Sequence, residues 1–352
     1  SCQGCDLSGV DLEEANLEEA NLKEANLEGA NLKWANLEGA NLEGANLTEA
    51  ILYKPNLEGA DLYKALLYKA LLYKPNLTKA NLEGSDLRKA NLKEANLKEA
   101  NLSGANLEGA DLRKANLEGA NLSGAKLIGA RLFEADLRGV NLVGADLEGS
   151  DLRKANLEGS DLRKANLNGE NLGGANLEGA NLSGAILDGV HQLNKVNLEG
   201  VNLKGAILDG VNLSGVNLEG VNLSGANLSG ANLKEANLIE ANLENAILFS
   251  SDLTGVTINN ERLDSALLCN TKLPDGKTSK CNLTKANLEG ANLEGANLEW
   301  ENLVGANLKW ANLEGANLYK ALLYKANLEG ANLEGAKLIG ARLFEADLRG
   351  VN

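Results

Sequence analysis

A leucine recurs at every fifth residue over residues 7–187 and, after one extra residue, over residues 193–348. Of the 69 central positions that this spacing defines, 67 are Leu, and Ile258 and Thr278 are the exceptions. A period of five matches neither the 3.6-residue period of an α-helix nor the two-residue period of a strand, and it excludes a heptad coiled coil. The chain must therefore change direction once in every unit.

The residues around each central Leu indicate how the chain turns. Two residues before the centre the sequence usually has Ala, and the residue between them is usually Asn or Asp. In units such as Leu27-Glu28-Gly29-Ala30, Gly in the third place supplies the positive φ of a type II turn. Units without this Gly are expected to use another turn type. Four such corners would close one square coil made of four units, with Leu and Ala pointing inward.

The composition agrees with a narrow core made of small and branched aliphatic side chains. Aromatic residues are only 3% of the chain, too few to fill an ordinary globular core, whereas hydrophobic residues reach 44%. That apolar content also argues against a disordered chain. Leu and Ala in a regular arrangement must therefore form the interior.

The repeated A-[ND]-L-x-x pattern resembles the pentapeptide-repeat family over nearly the whole chain. The resemblance implies an all-β solenoid, a right-handed quadrilateral β-helix of about 17 coils and about 80 Å in length. We expect a lead-in at 1–4, a first block at 5–189, a one-residue phase shift at 190–192 and a second block at 193–350. A loop at 270–280 interrupts the second block, and the whole is expected to be a single continuous domain.

His191, the only His, lies at the phase shift. We expect a bulge that interrupts one face there. The alternative is that His191 is a ligand or a pH switch. A lone His without a nearby Cys or second His is, however, a poor metal site.

The four cysteines fall into two local pairs. Cys2 and Cys5 lie at the amino end, and Cys269 and Cys281 flank a Pro-Asp-Gly turn at 274–276. We interpret them as candidates for two disulfides. A zinc site built from all four is the alternative, but the pairs are too many coils apart. Disulfides favour an extracytoplasmic or secreted location over a cytoplasmic one, and no apolar run is long enough to predict a membrane span.

The formal net charge of −15 is unevenly distributed. Residues 1–50 carry 11 acids and 2 bases, whereas residues 51–100 carry 6 acids and 9 bases. An acidic rod resembles those pentapeptide-repeat proteins that mimic duplex DNA and engage DNA gyrase. Duplex DNA has one charge per about 1.7 Å, so this chain would be a weak mimic. The sign of the net charge disfavours nucleic acid as a partner.

Exposed aromatic and aliphatic residues near lysines are the candidate partner surface. Tyr53 and Tyr73 are separated by one full coil of four units and should stack on one face of adjacent coils, and a similar cluster recurs near the carboxyl end. The alternative is that these residues are neutral substitutions that the repeat tolerates at outward positions. The candidates are Tyr53, Tyr63, Leu66, Tyr68, Leu71, Tyr73, Tyr319, Leu322 and Tyr324.

Catalysis has little support in this sequence. Glu170, Glu261 and Glu301 replace the usual small inward residue, but they lie in separate coils, and we expect local bulging to let each reach water. No catalytic, cofactor or metal motif is recognisable. We therefore predict a non-enzymatic structural or protein-interaction solenoid. Because neither end of the solenoid carries a cap, we expect the protein to assemble with itself, end to end into fibres or as a homo-oligomer. The alternative function is that of a DNA-mimicking modulator of a topoisomerase such as DNA gyrase.

Overall fold

The computed structural model describes residues 1–187, 189–190, 193–281 and 283–352. Its sheet consists of single parallel β-bridges between residues twenty positions apart, such as Asp6–Asn26 and Asn26–Asn46. The residue before each central Leu forms the bridge, so each coil of four units contributes to four columns of bridges. The fold is the predicted right-handed quadrilateral β-helix.

The core is a stack of Leu and Ala side chains. Leu27 and Ala30 are fully buried, as are their equivalents through most coils. The backbone amide of Leu27 donates to the carbonyl of Asn46 at 2.7 Å, and that of Asn46 donates to Ala25 at 2.9 Å. Since burying a Leu contributes about 1.5–3 kcal/mol, the five-residue spacing stabilises every coil to a similar degree.

The corners are the same in units with and without Gly, so the prediction of a second turn type is wrong. Gly29 has φ 64°, and the non-glycine residues Glu24 and Lys64 have φ 57° and 53° in the same place. The Lys64 amide donates to the Glu83 carbonyl of the next coil at 2.9 Å. Such bonds between coils need one corner geometry and outweigh the cost of about 1–2 kcal/mol for a left-handed non-glycine residue.

Asparagine ladders explain the preference for Asn or Asp before the central Leu. The Nδ2 atom of Asn56 donates to Oδ1 of Asn36 at 3.1 Å, and that of Asn76 donates to Oδ1 of Asn56 at 3.0 Å. The same Oδ1 of Asn56 accepts the amide of Glu58 at 3.3 Å. One short side chain therefore satisfies both its own corner and the neighbouring coil.

Contacts divide the chain into two compact units, Ser1–Leu203 and Lys204–Asn352, where the sequence predicts a single continuous domain. We call them the N-terminal and C-terminal units. Bridge partners are twenty positions apart up to Asn166–Ile186, and one position further apart at Asn176–Asn197. A 3-10 helix at Leu193–Lys195 lies in that longer coil. His191 and Gln192 lie outside the described residues, so the bulge and the role of His191 stay predictions.

The C-terminal unit contains two stacks of coils. Bridges of the first stack run from Ile207–Asn227 to Asp252–Lys272, and a short helix, α1 (Asn260–Leu263), interrupts its last coil. Bridges of the second stack run from Asn287–Asn307 to Asn327–Asp347. Between the described residues, no parallel bridge joins one stack to the other.

A short hairpin separates these two stacks, in the segment predicted as a loop at 270–280. Lys272 and Thr278 form an antiparallel bridge, and the Leu273 amide donates to the Lys277 carbonyl at 2.7 Å. The amide of Gly276 donates to the Leu273 carbonyl at 2.9 Å, with Gly276 at φ 81°. The Pro-Asp-Gly signal thus forms a hairpin turn, and the five-residue pattern stops because the chain reverses direction.

The second stack begins against the side of the first. Ile247 and Phe249 occupy outward positions of the repeat but are buried, because they pack with Leu283 and Leu288. Asn227 of the first stack donates from Nδ2 to the Asn292 carbonyl at 3.0 Å. Within the described part of the chain, no helix is long and apolar enough to cross a membrane.

Candidate protein-interaction surface

One face of the N-terminal unit concentrates aromatic side chains. We define the aromatic face by one column of bridge residues. Each coil adds to it the bridge residue itself and the two residues that follow the next Leu. In this column Ile51 and Leu71 replace the usual Asn or Asp. Leu71 is 47% exposed, and Trp34, on the same face, is also 47% exposed. The column runs from Asp11 to Asn171, and over residues 31–151 it consists of Asn31, Ile51, Leu71, Asn91, Asp111, Arg131 and Asp151.

Trp34, Tyr53 and Tyr73 form a continuous row across three coils. The ring centroids of Trp34 and Tyr53 are 5.5 Å apart in an edge-to-face arrangement. Those of Tyr53 and Tyr73 are also 5.5 Å apart, and their planes are inclined by only 24°. Because neighbouring coils repeat the same backbone geometry, side chains separated by one coil of sequence meet in this way. Together with Leu71 they line a shallow groove of about 480 Å³.

Cationic side chains surround this row. Lys54 Nζ lies 5.5 Å from the Tyr53 ring centroid, and Lys74 Nζ lies 5.4 Å from that of Tyr73. Glu94 accepts a hydrogen bond from the Tyr73 hydroxyl at 3.3 Å and pairs with Lys74 at 2.7 Å. These contacts raise the pKa of Lys74 and lower the pKa of Glu94, chiefly through their mutual hydrogen bond. Lys74 therefore stays cationic beside the row.

The aromatic face is the basic face of the N-terminal unit. Over residues 31–154 it carries nine bases and four acids. The bases are Lys33, Lys54, Lys74, Lys93, Arg113, Lys114, Arg131, Arg153 and Lys154, and the acids are Glu94, Asp111, Glu134 and Asp151. Over the equivalent coils, each of the other three faces has more acids than bases. The acids of this face pair with its own bases, which leaves a net positive surface.

The other candidates of this unit lie outside the aromatic face. Leu66 and Tyr68 lie on the preceding face, where Leu66 is 45% exposed and Tyr68 is half-buried. The Lys69 Nζ and the Arg88 guanidinium lie 5.1 and 5.6 Å from the Tyr68 ring centroid. Tyr63 lies on a third face, so the structure does not bring all the candidates together.

The C-terminal unit repeats this arrangement on a smaller scale. The ring centroids of Trp300 and Tyr319 are 6.0 Å apart and edge-to-face, and Lys320 Nζ lies 4.1 Å from the Trp300 ring centroid. Tyr324 and Leu322 are half-buried. The same nonapeptide, Leu-Tyr-Lys-Ala-Leu-Leu-Tyr-Lys-Ala, occupies residues 62–70 and 318–326.

Sequence reasoning missed Trp34 and Trp300 as members of these rows. Trp34 precedes Tyr53, and Trp300 precedes Tyr319, by one position less than a full coil. A search for pairs of aromatic residues whose separation is one residue shorter than a full coil would have found both. At this separation, the second outward residue of one corner lies beside the first outward residue of the equivalent corner in the next coil.

The cysteines are paired locally, Cys2 with Cys5 and Cys269 with Cys281. Cys269 is almost completely buried, and its partner is half-buried. Among the described cysteines none is free.

The three inward glutamates differ from one another. Glu170 is completely buried, and its Oε1 accepts hydrogen bonds from the Ser150 amide at 2.9 Å and hydroxyl at 2.8 Å. Burial raises the pKa of Glu170 to about 8. Glu261 is exposed in α1, and Glu301 is half-buried. The expectation that every one of them reaches water is therefore wrong for Glu170, and no two of them form an acid/base pair.

Comparison with known proteins identifies the repeat. A family model described as Pentapeptide repeats (8 copies) matches residues 1–169, 171–191, 192–260 and 262–352. No curated protein sequence matches the chain. HetL, a pentapeptide repeat protein involved in heterocyst differentiation regulation from the cyanobacterium Nostoc sp. strain PCC 7120, is 33% identical over 79% of this chain and 93% of its own, with a TM-score of 0.29.

Two further solved structures illustrate the range of similar proteins. A pentapeptide repeat protein from the Arabidopsis thaliana thylakoid lumen is 34% identical over 28% of this chain and 68% of its own, with a TM-score of 0.28. QnrB1, a plasmid-mediated fluoroquinolone resistance protein, is 17% identical over 52% of this chain and 91% of its own, with a TM-score of 0.30. The family model and the bridges that join equivalent residues of successive coils carry the assignment: the chain belongs to the pentapeptide-repeat family.

Proposed function

We propose that this protein is a non-enzymatic interaction protein whose aromatic face binds an acidic segment of a partner protein. The observation that carries the proposal is the coincidence, on one face, of the row made of exposed Trp34 and half-buried Tyr53 and Tyr73 with the net positive charge. Aromatic and basic side chains that stay exposed in this way are typical of protein interfaces. The chain as a whole carries a formal net charge of −15, so its other surfaces would repel the same partner and confine binding to this face.

The chemistry of the exposed atoms favours carboxylates over nucleobases. Lysine ammonium groups carry several donors each, and carboxylates accept hydrogen bonds from them. The rings of Tyr53 and Tyr73 face each other, so each ring offers at most one face on which a base could stack. An extended acidic peptide can follow the row along the coils, because coil spacing and the spacing of side chains on one side of a strand are similar in scale.

A binding assay with defined probes tests this proposal. We expect a short fluorescein-labelled polyglutamate peptide to bind the full chain at low salt, and the affinity to fall as salt rises. The triple variant Trp34→Ala, Tyr53→Ala, Tyr73→Ala should lose at least about tenfold in affinity, since interface aromatics are common hot spots. The matched control is Ile128→Ala, an exposed apolar residue on another face.

Equal binding by the triple variant and the wild type would overturn the assignment of the site. Preference for a single-stranded oligonucleotide of equal charge would overturn the assignment of the partner. If the labelled chain bound its own unlabelled copy more tightly than the peptide, the partner of the aromatic face would be a second copy of this chain and not another protein.

Other expectations from the sequence stay predictions. End-to-end assembly is tested by sedimentation at several concentrations, and strictly monomeric protein would refute it. A DNA-mimicking role is less favoured because one face is net basic, and an unchanged gyrase supercoiling assay would remove it. We also propose an extracytoplasmic or secreted location, which the two disulfides support; thiols that react with an alkylating agent in the freshly extracted protein would contradict it.

A further inference from the structure

A cluster outside the aromatic face brings together residues from three places in the sequence. Cys269 lies at the end of the first stack of the C-terminal unit, Cys281 follows the hairpin, and Glu301 belongs to the first coil of the second stack. The two Sγ atoms and a carboxylate oxygen of Glu301 all lie within 4.8 Å of one another. Cys269 is buried, and the other two are half-buried.

Within the part of the chain that the structure describes, the Glu301 side chain has no structural role that accounts for its presence at this position. It replaces the usual Ala, and its carboxylate forms no hydrogen bond or ion pair with any described residue. Burial raises its pKa. A partly desolvated carboxylate is unfavourable unless it has a cation or a donor nearby, and in this place it faces two sulfur atoms.

The hairpin would keep the two cysteines together even without a bond between them. The Ser279 amide donates to the Thr271 carbonyl at 2.8 Å, and the Thr271 amide donates to the Ser279 hydroxyl at 3.0 Å. The Cα atoms of Cys269 and Cys281 are 4.1 Å apart. Parallel side chains at this separation can place their sulfurs about 3.7 Å apart, the separation that tetrahedral zinc with Zn–S bonds of about 2.3 Å requires.

We propose that Cys269, Cys281 and Glu301 bind one zinc ion when the disulfide is reduced, so that this position holds a disulfide under oxidising conditions and zinc under reducing ones. Two thiolates and a carboxylate suit zinc, and a water completes the tetrahedron. Asn270 supports the site, because its Nδ2 lies 3.8 Å from the Cys269 sulfur and donates to it.

The conversion is balanced with a thiol reductant. Two reductant thiols supply two electrons and two protons, the sulfur–sulfur bond breaks to give two cysteine thiols, and the reductant becomes its own disulfide. Zinc then forms two Zn–S bonds and releases the two thiol protons, so that its affinity rises with pH.

Cobalt(II) is the probe for the test, in the full chain with Cys2→Ser and Cys5→Ser to remove the other thiols. The protein is reduced with a phosphine, which takes an oxygen atom from water and becomes a phosphine oxide. We expect one Co²⁺ per chain, with the thiolate-to-cobalt charge-transfer band and the visible bands of tetrahedral Co²⁺, and full displacement by Zn²⁺. The oxidised protein should show neither band.

Variants assign the ligands. Cys269→Ser should abolish the charge-transfer spectrum of the two-thiolate site. Glu301→Gln should keep sulfur-to-cobalt bands but lower zinc affinity at least about tenfold, since loss of even a supporting group costs about 10- to 100-fold. Glu314→Gln, an exposed carboxylate of the same stack, is the matched control and should bind as the parent does.

Three results would overturn the proposal. The first is no uptake by the reduced chain beyond that of the oxidised chain. The second is equal zinc affinity of the Glu301→Gln variant and its parent. The third is loss of the circular-dichroism spectrum on reduction that zinc does not restore, because a folded site would then not exist in the reduced protein.

Discussion

Replacing Glu170 by Ala should remove a pH dependence of local stability from the N-terminal unit. The side chain is completely buried, Oε1 accepts both bonds from Ser150, and Oε2 has no hydrogen-bond partner among the described residues. Burial is the largest cause that raises its pKa, and the negative charge of Asp151 adds to it. The folded protein therefore favours the protonated carboxyl.

The sign and size of the effect follow from that raised pKa. Between the ordinary value of 4.5 and about 8, the folded state holds the proton more tightly than the unfolded state. The stabilisation that protonated Glu170 contributes is thus fully present below about pH 4.5. It is lost as the pH rises toward about 8, at about 1.4 kcal/mol per pH unit. The full loss across this interval is about 5 kcal/mol as an upper value.

Alanine is the replacement that leaves no new unsatisfied group. The Ser85 and Ser160 hydroxyls, at the same repeat position as Ser150, donate to the carbonyl three residues earlier at 2.7 and 2.6 Å. Ser150 has the same carbonyl available at Leu147, so it keeps a partner when the Glu170 carboxylate is gone. The cavity left behind lowers stability at every pH and does not change the slope.

Hydrogen exchange followed by mass spectrometry measures this locally. After correction for intrinsic rates, wild-type peptides covering residues 147–172 should lose protection between about pH 5 and about pH 8, whereas Glu170→Ala peptides should not. Glu261→Ala is the control, because Glu261 occupies the same repeat position but is exposed. A flat wild-type profile, or a slope that survives in Glu170→Ala, would refute the reasoning.

Three further predictions concern corners and the buried disulfide. Gly330→Ala should lower the midpoint of urea unfolding more than Gly315→Ala, because the Trp310 indole occupies the space of the new Cβ while the space beside Gly315 is open; equal midpoints would contradict the position of the indole. Lys164→Gly should stabilise the chain by about 1 kcal/mol in the same assay, since Lys164 has φ 58° and pairs with no described acid; a loss of stability would show that the corner does not strain the lysine. Replacing the Cys269–Cys281 pair by two serines should cost about 3 kcal/mol, and an unchanged midpoint would show that the hairpin needs no cross-link.

The sequence predicts the coil well because one rule repeats through almost every unit. The five-residue spacing requires a corner per unit, and Leu27 and its equivalents are buried as that spacing demands. The corners were harder to predict. Local preference argues against a left-handed Lys64, and only the hydrogen bond to the next coil explains why it adopts that conformation.

The two stacks of the C-terminal unit could not be predicted from periodicity. Ile247 and Phe249 occupy outward positions, and nothing in a five-residue pattern indicates that another stack covers them. The aromatic face was partly predictable, since Tyr53 and Tyr73 are separated by one coil. Its net positive charge is not evident from the charge of consecutive segments, because the bases of this face alternate along the chain with acids of the other three faces.

The bridges between equivalent residues of successive coils have a consequence for how such a gene can change. Deleting five codons upstream of Trp34 would preserve the five-residue spacing of the interior Leu residues, yet it would move the later surface side chains by a quarter turn relative to those before the deletion. Deleting twenty codons would shorten the molecule and leave every column aligned. The face on which a surface residue lies therefore depends on its position within a twenty-residue coil, whereas burial in the interior depends only on its position within a five-residue unit. Insertions or deletions of whole units can thus rearrange the surface and leave the interior intact.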